Sequence, residues 1–295
     1  MTIALLFNPV SGRGRALVAA QAIQRGLVER GFRVELLPTE RRPASEWLRP
    51  KLAGIRHLVV AGGDGAVRLA APEAARAGVP IWHAPCGTEN LFARAFGMSR
   101  GAAAIAAAVG EGRTRRIDLA TANDEHFAIM ASVGFDAEVV HRLSAARTGG
   151  ISHLSYARPI LELVGRWQPA RRSGTGDGER EELGTGRVGG GNLPNYGVGL
   201  NPAREARPDD GLLDAVFIPA RGAFDLLPWV PLLRTGLHLR HPMLRLRRGA
   251  EMVLAAAGGA RLQLDGDAAG PAEGVAELRL APVPSAVEVL LPASA

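Results

Sequence analysis

Three short apolar runs in the first third of the chain each end in a glycine-containing turn, and helical patterns follow those turns. This arrangement constrains the fold more than any other feature of the sequence. Ile3 to Phe7 leads into Asn8-Pro9-Val10-Ser11-Gly12-Arg13-Gly14, His57 to Ala61 into Gly62-Gly63-Asp64-Gly65, and Pro80 to Ala84 into Pro85-Cys86-Gly87-Thr88. Short apolar runs bounded by turn residues read as buried strands. After the first turn Ala16, Ala20, Ile23 and Leu27 recur at helical spacing, with Gly31 as the stop. Phe32 to Leu37 reads as a further strand. A helix over 89–96 pairs Leu91 with Ala95 and Phe92 with Phe96 and closes at Gly97, and Ser99 is expected to cap an alanine-rich helix ending at Gly110. Alternation of this kind predicts a parallel sheet with helices on both faces.

From about Arg115 the texture changes. Ile117 to Ala120, Phe127 to Ser132, Tyr196 to Leu200, Leu213 to Ile218, Leu244 to Leu246, Met252 to Ala255, Arg261 to Leu264 and Ala276 to Leu280 read as short strands separated by turns. Ser152 to Trp167 and Phe224 to His238 read as helical. Arg171 to Gly191, rich in Gly, Arg and Glu, reads as a mobile loop. The expected organisation is an α/β domain over 1–118, to which 284–295 return, and an antiparallel β-rich domain over 119–283.

Composition narrows the class of function. With 47% hydrophobic and 22% charged residues in 295, the chain is not a disordered one. A single cysteine, Cys86, excludes an internal disulfide framework and a multi-cysteine zinc site, and it fits a reducing cytoplasm. The net charge of +6, carried almost wholly by arginine, favours anionic partners. Aromatic residues at 5% argue against a stacking-based single-strand binder, so no nucleic acid partner is expected. No uncharged stretch approaches the roughly 18 apolar residues of a membrane span, and no basic segment precedes the first apolar run as in a signal peptide.

Gly62-Gly63-Asp64-Gly65 carries the strongest chemical signal. Glycines between a strand and a helix let backbone N–H groups approach phosphate oxygens, and the helix start adds partial positive charge. Gly87-Thr88-Glu89-Asn90 occupies an equivalent strand-to-helix position, and two such loops at one edge of a parallel sheet flank a nucleotide crevice. The Asn8 loop is neither a Walker A motif nor a dinucleotide fingerprint, because no Gly-Lys-Ser/Thr follows and Leu17 stands at the third glycine position.

Taken in order and spacing, Asn8-Pro9-Val10-Ser11-Gly12, Gly62-Gly63-Asp64-Gly65 and Pro85-Cys86-Gly87-Thr88-Glu89-Asn90-Leu91-Phe92-Ala93 resemble the diacylglycerol kinase catalytic domain shared by bacterial lipid kinases, diacylglycerol kinases and sphingosine kinases. Val133-Gly134-Phe135-Asp136-Ala137, Pro208-Asp209-Asp210-Gly211-Leu212-Leu213-Asp214 and Leu264-Asp265-Gly266-Asp267 extend the resemblance over nearly the whole chain. The resemblance implies a phosphofructokinase/NAD-kinase-like, nucleotide-binding first domain, a lipid-binding second domain with the active site expected in the cleft between them, and Mg²⁺-dependent transfer of the ATP γ-phosphoryl group to a lipid hydroxyl. Three positions depart from the family pattern: Ala66 replaces a Thr, Glu89 a small residue, and Asp267 a Glu.

By the same resemblance, Gly62, Gly63, Asp64, Gly65, Ala66, Val67, Arg68, Gly87, Thr88 and Asn90 hold the nucleotide, joined by Thr39 and by Asn8, which fixes the first loop. Phosphoryl transfer needs positioning and charge neutralisation more than covalent help, and the attacking alcohol needs a base. Asp265 is the first candidate, Asp267 the second and Asp64 the third. Asp210 with the carbonyls of Arg207 and Leu212 matches a structural metal site. Arg240, Arg245, Arg247 and Arg248 are candidates for anionic headgroups, and the Phe224 to His238 stretch for a membrane surface or for plain core. The lipid alcohol is expected to be reached by peripheral contact with the inner membrane face, and a homodimer is an open expectation. The alternatives are an NAD kinase-like enzyme, a nucleotide- or lipid-binding module with weakened catalysis and, on charge alone, a nucleic-acid binder.

Overall fold

The computed structural model describes residues 1–146, 153–176 and 179–294. By its contacts the chain divides into a unit of Met1–Leu119 with Pro284–Ala295 and a unit of Ala120–Thr148 with Ser152–Val283.

The first unit is built from β1 (Thr2–Phe7), α1 (Arg15–Val28), β2 (Arg33–Pro38), α2 (Ala44–Lys51), β3 (His57–Gly62), α3 (Asp64–Ala77), β4 (Ile81–Pro85), α4 (Leu91–Ala95) and α5 (Ala102–Glu111). The strands pair in the order β4-β3-β1-β2, all parallel. The apolar runs are interior strands: Ile3, Leu5, Leu58, Val60 and Trp82 are all buried. Helix α1 buries the four residues whose spacing predicted it, Ala16, Ala20, Ile23 and Leu27. Full burial of such a side chain contributes about 1.5–3 kcal/mol for the larger ones, so this stripe fixes the face that meets the sheet. Ser99 is not the cap of α5. Gly101 holds that position, and the Ser99 carbonyl instead accepts the Trp82 indole N–H at 2.8 Å.

The second unit follows β5 (Thr114–Ala122), which begins in the first. It comprises β6 (Glu125–Phe127), β7 (Met130–Val133), α6 (Phe135–Ala145), α7 (Ala157–Val164), β8 (Arg171–Gly176), β9 (Glu179–Gly191), β10 (Leu213–Pro219), α8 (Trp229–Thr235), β11 (Arg245–Gly249), β12 (Met252–Ala260), β13 (Leu262–Leu264) and β14 (Asp267–Ala269). Finally β15 (Val275–Leu290) pairs antiparallel with β12 and then carries the chain back to the first unit, where Val289 pairs with Ile81 of β4. Its strands form a sandwich. One sheet runs β14-β13-β7-β9-β10-β11, and in the other β8 and β12 join the first half of β9 and of β15. Their inner faces enclose a core of Ala131, Val133, Val188, Phe217, Leu262 and Leu264 against Met252, Leu254, Leu278 and Leu280.

Several expectations for this half are corrected. Arg171 to Gly191 is a β-hairpin and not a loop: β8 and β9 pair from Arg171↔Thr185 to Gly176↔Glu179. Phe127 to Ser132 is broken after Phe127, because the next three backbone N–H groups leave the ladder for a side chain described below. Tyr196 to Leu200 forms a 3₁₀ turn with Val198 at φ 50° instead of a strand. The expected helix from Ser152 begins at residues outside the described set and consists, within it, of a 3₁₀ turn and α7. Phe224 to His238 is two 3₁₀ turns flanking α8.

Candidate active site

In the first unit, the predicted nucleotide residues gather at the carboxyl ends of the parallel strands. Asn8 follows β1, Thr39 follows β2, Gly63 follows β3 and Gly87 follows β4. The Asn8 carboxamide accepts the Val10 N–H at 3.1 Å and so shapes the first loop. The Thr39 N–H donates to the Phe7 carbonyl at 2.9 Å, which ties the end of β2 to the start of that loop.

The two glycine loops are built against each other. A Cβ at Gly87 would lie 2.6 Å from the Gly63 Cα, and one at Gly63 would lie 3.3 Å from the Gly87 Cα. Neither glycine has a positive φ, so close approach rather than backbone freedom is what requires them. The Cys86 N–H donates to the Gly62 carbonyl at 2.8 Å. Both oxygens of Asp64 accept N–H groups from the start of α4, Leu91 and Phe92, each at 3.0 Å. Burial raises the Asp64 carboxyl above its ordinary pKa, against the lowering effect of those two bonds. Asp64 therefore clamps the second loop to the first. The same clamp includes His83, which sequence reading missed: its Nε2 lies 2.9 Å from the Gly62 carbonyl, and burial pushes its pKa down. A fully buried histidine inside the apolar run Ile81-Trp82-His83-Ala84 was the available signal.

Within α3, Gly65, Ala66 and Arg68 are half-buried, while Val67 is fully buried core and presents no side chain to a ligand. The Ala66 and Val67 N–H groups turn to the Gly63 carbonyl. Asn90, in the left-handed region at φ 50°, uses both ends of its carboxamide on the Gly87 backbone, at 2.7 and 2.9 Å. It builds the loop that was expected to hold nucleotide with it. Thr88 is exposed at the loop tip. Glu89 pairs with Arg94 at 3.4 Å, which offsets its charge within the loop.

The carboxylate pair lies in the second unit on the turn between β13 and β14. Asp265 is buried at φ 51° and its carboxylate accepts three consecutive backbone N–H groups: Ala128 at 2.8 Å, Ile129 at 2.9 Å and Met130 at 2.9 Å. These are the donors that leave the ladder after β6. Asp267, two residues on, is half-buried at the start of β14.

Arg207, Asp210 and Leu212 share one turn, which brings one carboxylate and two backbone carbonyls together. Oxygen ligands, preferably anionic, are what a divalent cation needs. Asp210 is the single carboxylate of the three. One of its oxygens accepts the Leu212 N–H at 3.1 Å, and the other lies 3.9 Å from the Arg248 guanidinium. Among the described residues no three His, Cys, Asp or Glu side chains form a metal-holding group.

Comparison with known proteins gives a consistent picture. Residues 2–122 match the model of the diacylglycerol kinase catalytic domain, and residues 129–291 that of the YegS C-terminal NAD kinase beta sandwich-like domain. A diacylglycerol kinase of Mycobacterium tuberculosis is 30% identical over 98% of this chain and 95% of its own. A Pseudomonas aeruginosa protein named "Probable lipid kinase YegS-like" is 33% identical over 82% of this chain and 78% of its own. The crystal structure of a diacylglycerol kinase from Bacillus anthracis superimposes with a TM-score of 0.67 at 16% identity, covering 98% of this chain and 96% of that one, and shares the fold.

Proposed function

The chain belongs to the lipid kinases of the diacylglycerol kinase family, and on that premise we propose that it transfers the γ-phosphoryl group of MgATP to the hydroxyl of a diacylglycerol-like or sphingoid lipid. Membership of a kinase family implies ATP use. The observation that carries the reading is the backbone contact between the Gly63 and Gly87 loops at the carboxyl edge of the sheet. Glycines there leave amide N–H groups uncovered by side chains, and such groups suit phosphate oxygens. The residues Asn8, Thr39 and Asn90 support those loops, and the amides of 63–65 and the Thr88 hydroxyl are the groups proposed to meet phosphate.

The acceptor's proton is proposed to leave through the Asp265–Gly266–Asp267 turn. A base needs an oxygen lone pair directed at the alcohol. Three amide donors already occupy Asp265, which supports Asp267 as the base and Asp265 as the anchor of the turn, reversing the order read from sequence. Asp64, clamped on α4, is proposed as a loop-holding group. No step is assigned to the Arg207, Asp210 and Leu212 turn.

The lipid is proposed to be met at a membrane surface. No helix among the described residues is long and apolar enough to cross a membrane. Phe224, Leu227, Leu237 and Met243 are exposed within the same stretch of the second unit that carries Arg240, Arg245 and Arg247. Apolar side chains with neighbouring arginines suit an anionic interface. The test is transfer of labelled phosphate from ATP to a panel of lipid alcohols in mixed micelles, with NAD as a competing acceptor. Labelled lipid phosphate is the expected product. Labelled NADP alone, or ATP bound without any transfer, overturns the reading.

A further inference from the structure

A buried chain of hydrogen bonds leads from the start of α6 to the Asp265–Gly266–Asp267 turn. Ser132 of β7 and Gln263 of β13 are directly paired across the two strands, on the face opposite the sandwich core. Both are essentially without solvent exposure. The Ser132 hydroxyl donates to Asp136 Oδ2 at 2.6 Å, Gln263 Nε2 donates to Ser132 Oγ at 2.7 Å, and the Gly266 N–H donates to Gln263 Oε1 at 2.8 Å.

The polarity of this chain runs one way. A serine hydroxyl has one proton, and a carboxylate only accepts. With its proton given to Asp136, Ser132 can only accept from Gln263. Gln263 must then present Nε2 to Ser132, which leaves Oε1, the acceptor, toward the Gly266 N–H. The charge at the far end is secured as well. Asp136 Oδ2 also accepts Arg187 Nη2 at 3.1 Å, Arg187 Nε at 3.2 Å and the Tyr196 hydroxyl at 2.7 Å. Burial opposes ionisation of Asp136, but the Arg187 charge and the donated bonds outweigh it and hold the carboxyl below its usual range.

We propose that Asp136, acting through Ser132 and Gln263, is the positioning group that fixes the amide of Gly266 and thereby aims Asp267 at the acceptor hydroxyl. This rests on the reading of Asp267 as the base. Catalytic groups tolerate little misplacement, and an error of about 1 Å costs on the order of 10²-fold.

The variants are Ser132→Ala, which cuts the chain in the middle, and Gln263→Met, which keeps the side chain's length and removes its acceptor. Each should lower kcat about 10- to 10²-fold with the KM for ATP unchanged, and each should speed hydrogen exchange at the Gly266 amide. Ser132→Thr, which keeps the hydroxyl, should restore much of the loss and stands in if Ser132→Ala does not fold. In an Asp267→Asn background Ser132→Ala should have no further effect on kcat. Wild-type kcat and exchange in Ser132→Ala and Gln263→Met, beside a crippled Asp267→Asn, overturns the positioning role alone. An Asp267→Asn protein of wild-type activity overturns the base assignment and this proposal together. Equal losses from Ser132→Ala with and without Asp267 show a merely structural role.

Discussion

Gly87→Ala tests the backbone contact on which the proposed nucleotide site depends. The added Cβ would sit 2.6 Å from the Gly63 Cα, which is backbone and cannot swing aside as a flexible side chain would. Ordinary contact requires the two loops to part by most of an ångström. Resistance to that parting comes from the tethers that bind them: the Cys86 N–H to Gly62, and the Leu91 and Phe92 N–H groups to Asp64. Overpacking of this sort typically costs about 1–3 kcal/mol, which a domain of this size survives with a lowered melting temperature. Displacing the amides proposed to meet phosphate by about 1 Å should cost on the order of 10²-fold in turnover. Gly63→Ala, whose Cβ would stand 3.3 Å from Gly87, needs a shift of only a few tenths of an ångström and should be milder. Gly110→Ala, which meets nothing within 4 Å, is the control and should be neutral or slightly stabilising. The assays are thermal melting, ATP binding by calorimetry and lipid kinase turnover. A Gly87→Ala protein with wild-type ATP affinity and turnover would refute the claim that this contact shapes the site.

Asp267→Asn should lower turnover about 10²–10⁴-fold at unchanged melting temperature, whereas Asp265→Asn, which loses a charged acceptor for three amides, should chiefly lower the melting temperature. The reverse pairing, read by kinetics and calorimetry, restores Asp265 as the base. Ala66→Thr adds a hydroxyl at the start of α3 and should leave the KM for ATP unchanged or lower it, a charged-group hydrogen bond contributing about 1.5–3 kcal/mol. A large rise in that KM contradicts the placement of the loop against phosphate. Burial holds the pKa of His83 below its ordinary value, so the unfolded chain takes up the proton first as pH falls. Stability from this group is complete above about pH 6.5 and is lost below it, and a His83→Gln variant should show a flatter decline in melting temperature from pH 7 to 5. Phe224→Glu with Leu227→Glu should reduce sedimentation with phosphatidylglycerol vesicles while leaving ATP binding intact. Unchanged sedimentation removes that stretch from the membrane surface.

The first unit was legible because its signals are local. A buried parallel strand must be apolar on both faces, so β1, β3 and β4 announce themselves as runs, and α1 is written in the spacing of four small or aliphatic residues. The hairpin β8–β9 was not legible, because its stability is not local. Its residues are largely Arg, Glu and Gly, which suggest a solvated loop, yet Glu181 pairs with Arg245 and Arg247 from a distant strand. Its glycines serve close packing: a Cβ at Gly190 would lie 2.6 Å from Leu280 and one at Gly191 would lie 2.5 Å from Ala203. Helix α6 was hidden for a related reason. Gly134 at φ 135° turns β7 into it, and the space there is limited by Arg187, more than fifty residues on in the sequence.

The candidate site was legible in its positions and less so in its roles, and the reason is physical. A polar side chain in a glycine-rich turn has backbone donors and acceptors within reach before any ligand arrives, and each such bond left unmade would cost about 1–3 kcal/mol if buried. Asn8 takes the Val10 amide, Asp64 those of Leu91 and Phe92, Asn90 both polar groups of Gly87, and Asp265 those of three residues in succession. The motif residues that look most like ligands thus hold the loops in shape. On the proposed reading the amides of 63–65 are left to meet phosphate, and Asp267, at the end of a turn, to meet the acceptor. On this argument the substitutions that distinguish architecture from chemistry are different in kind. Replacing Asn90 or Asp265 should move stability and turnover together, while replacing Asp267 should move turnover by itself.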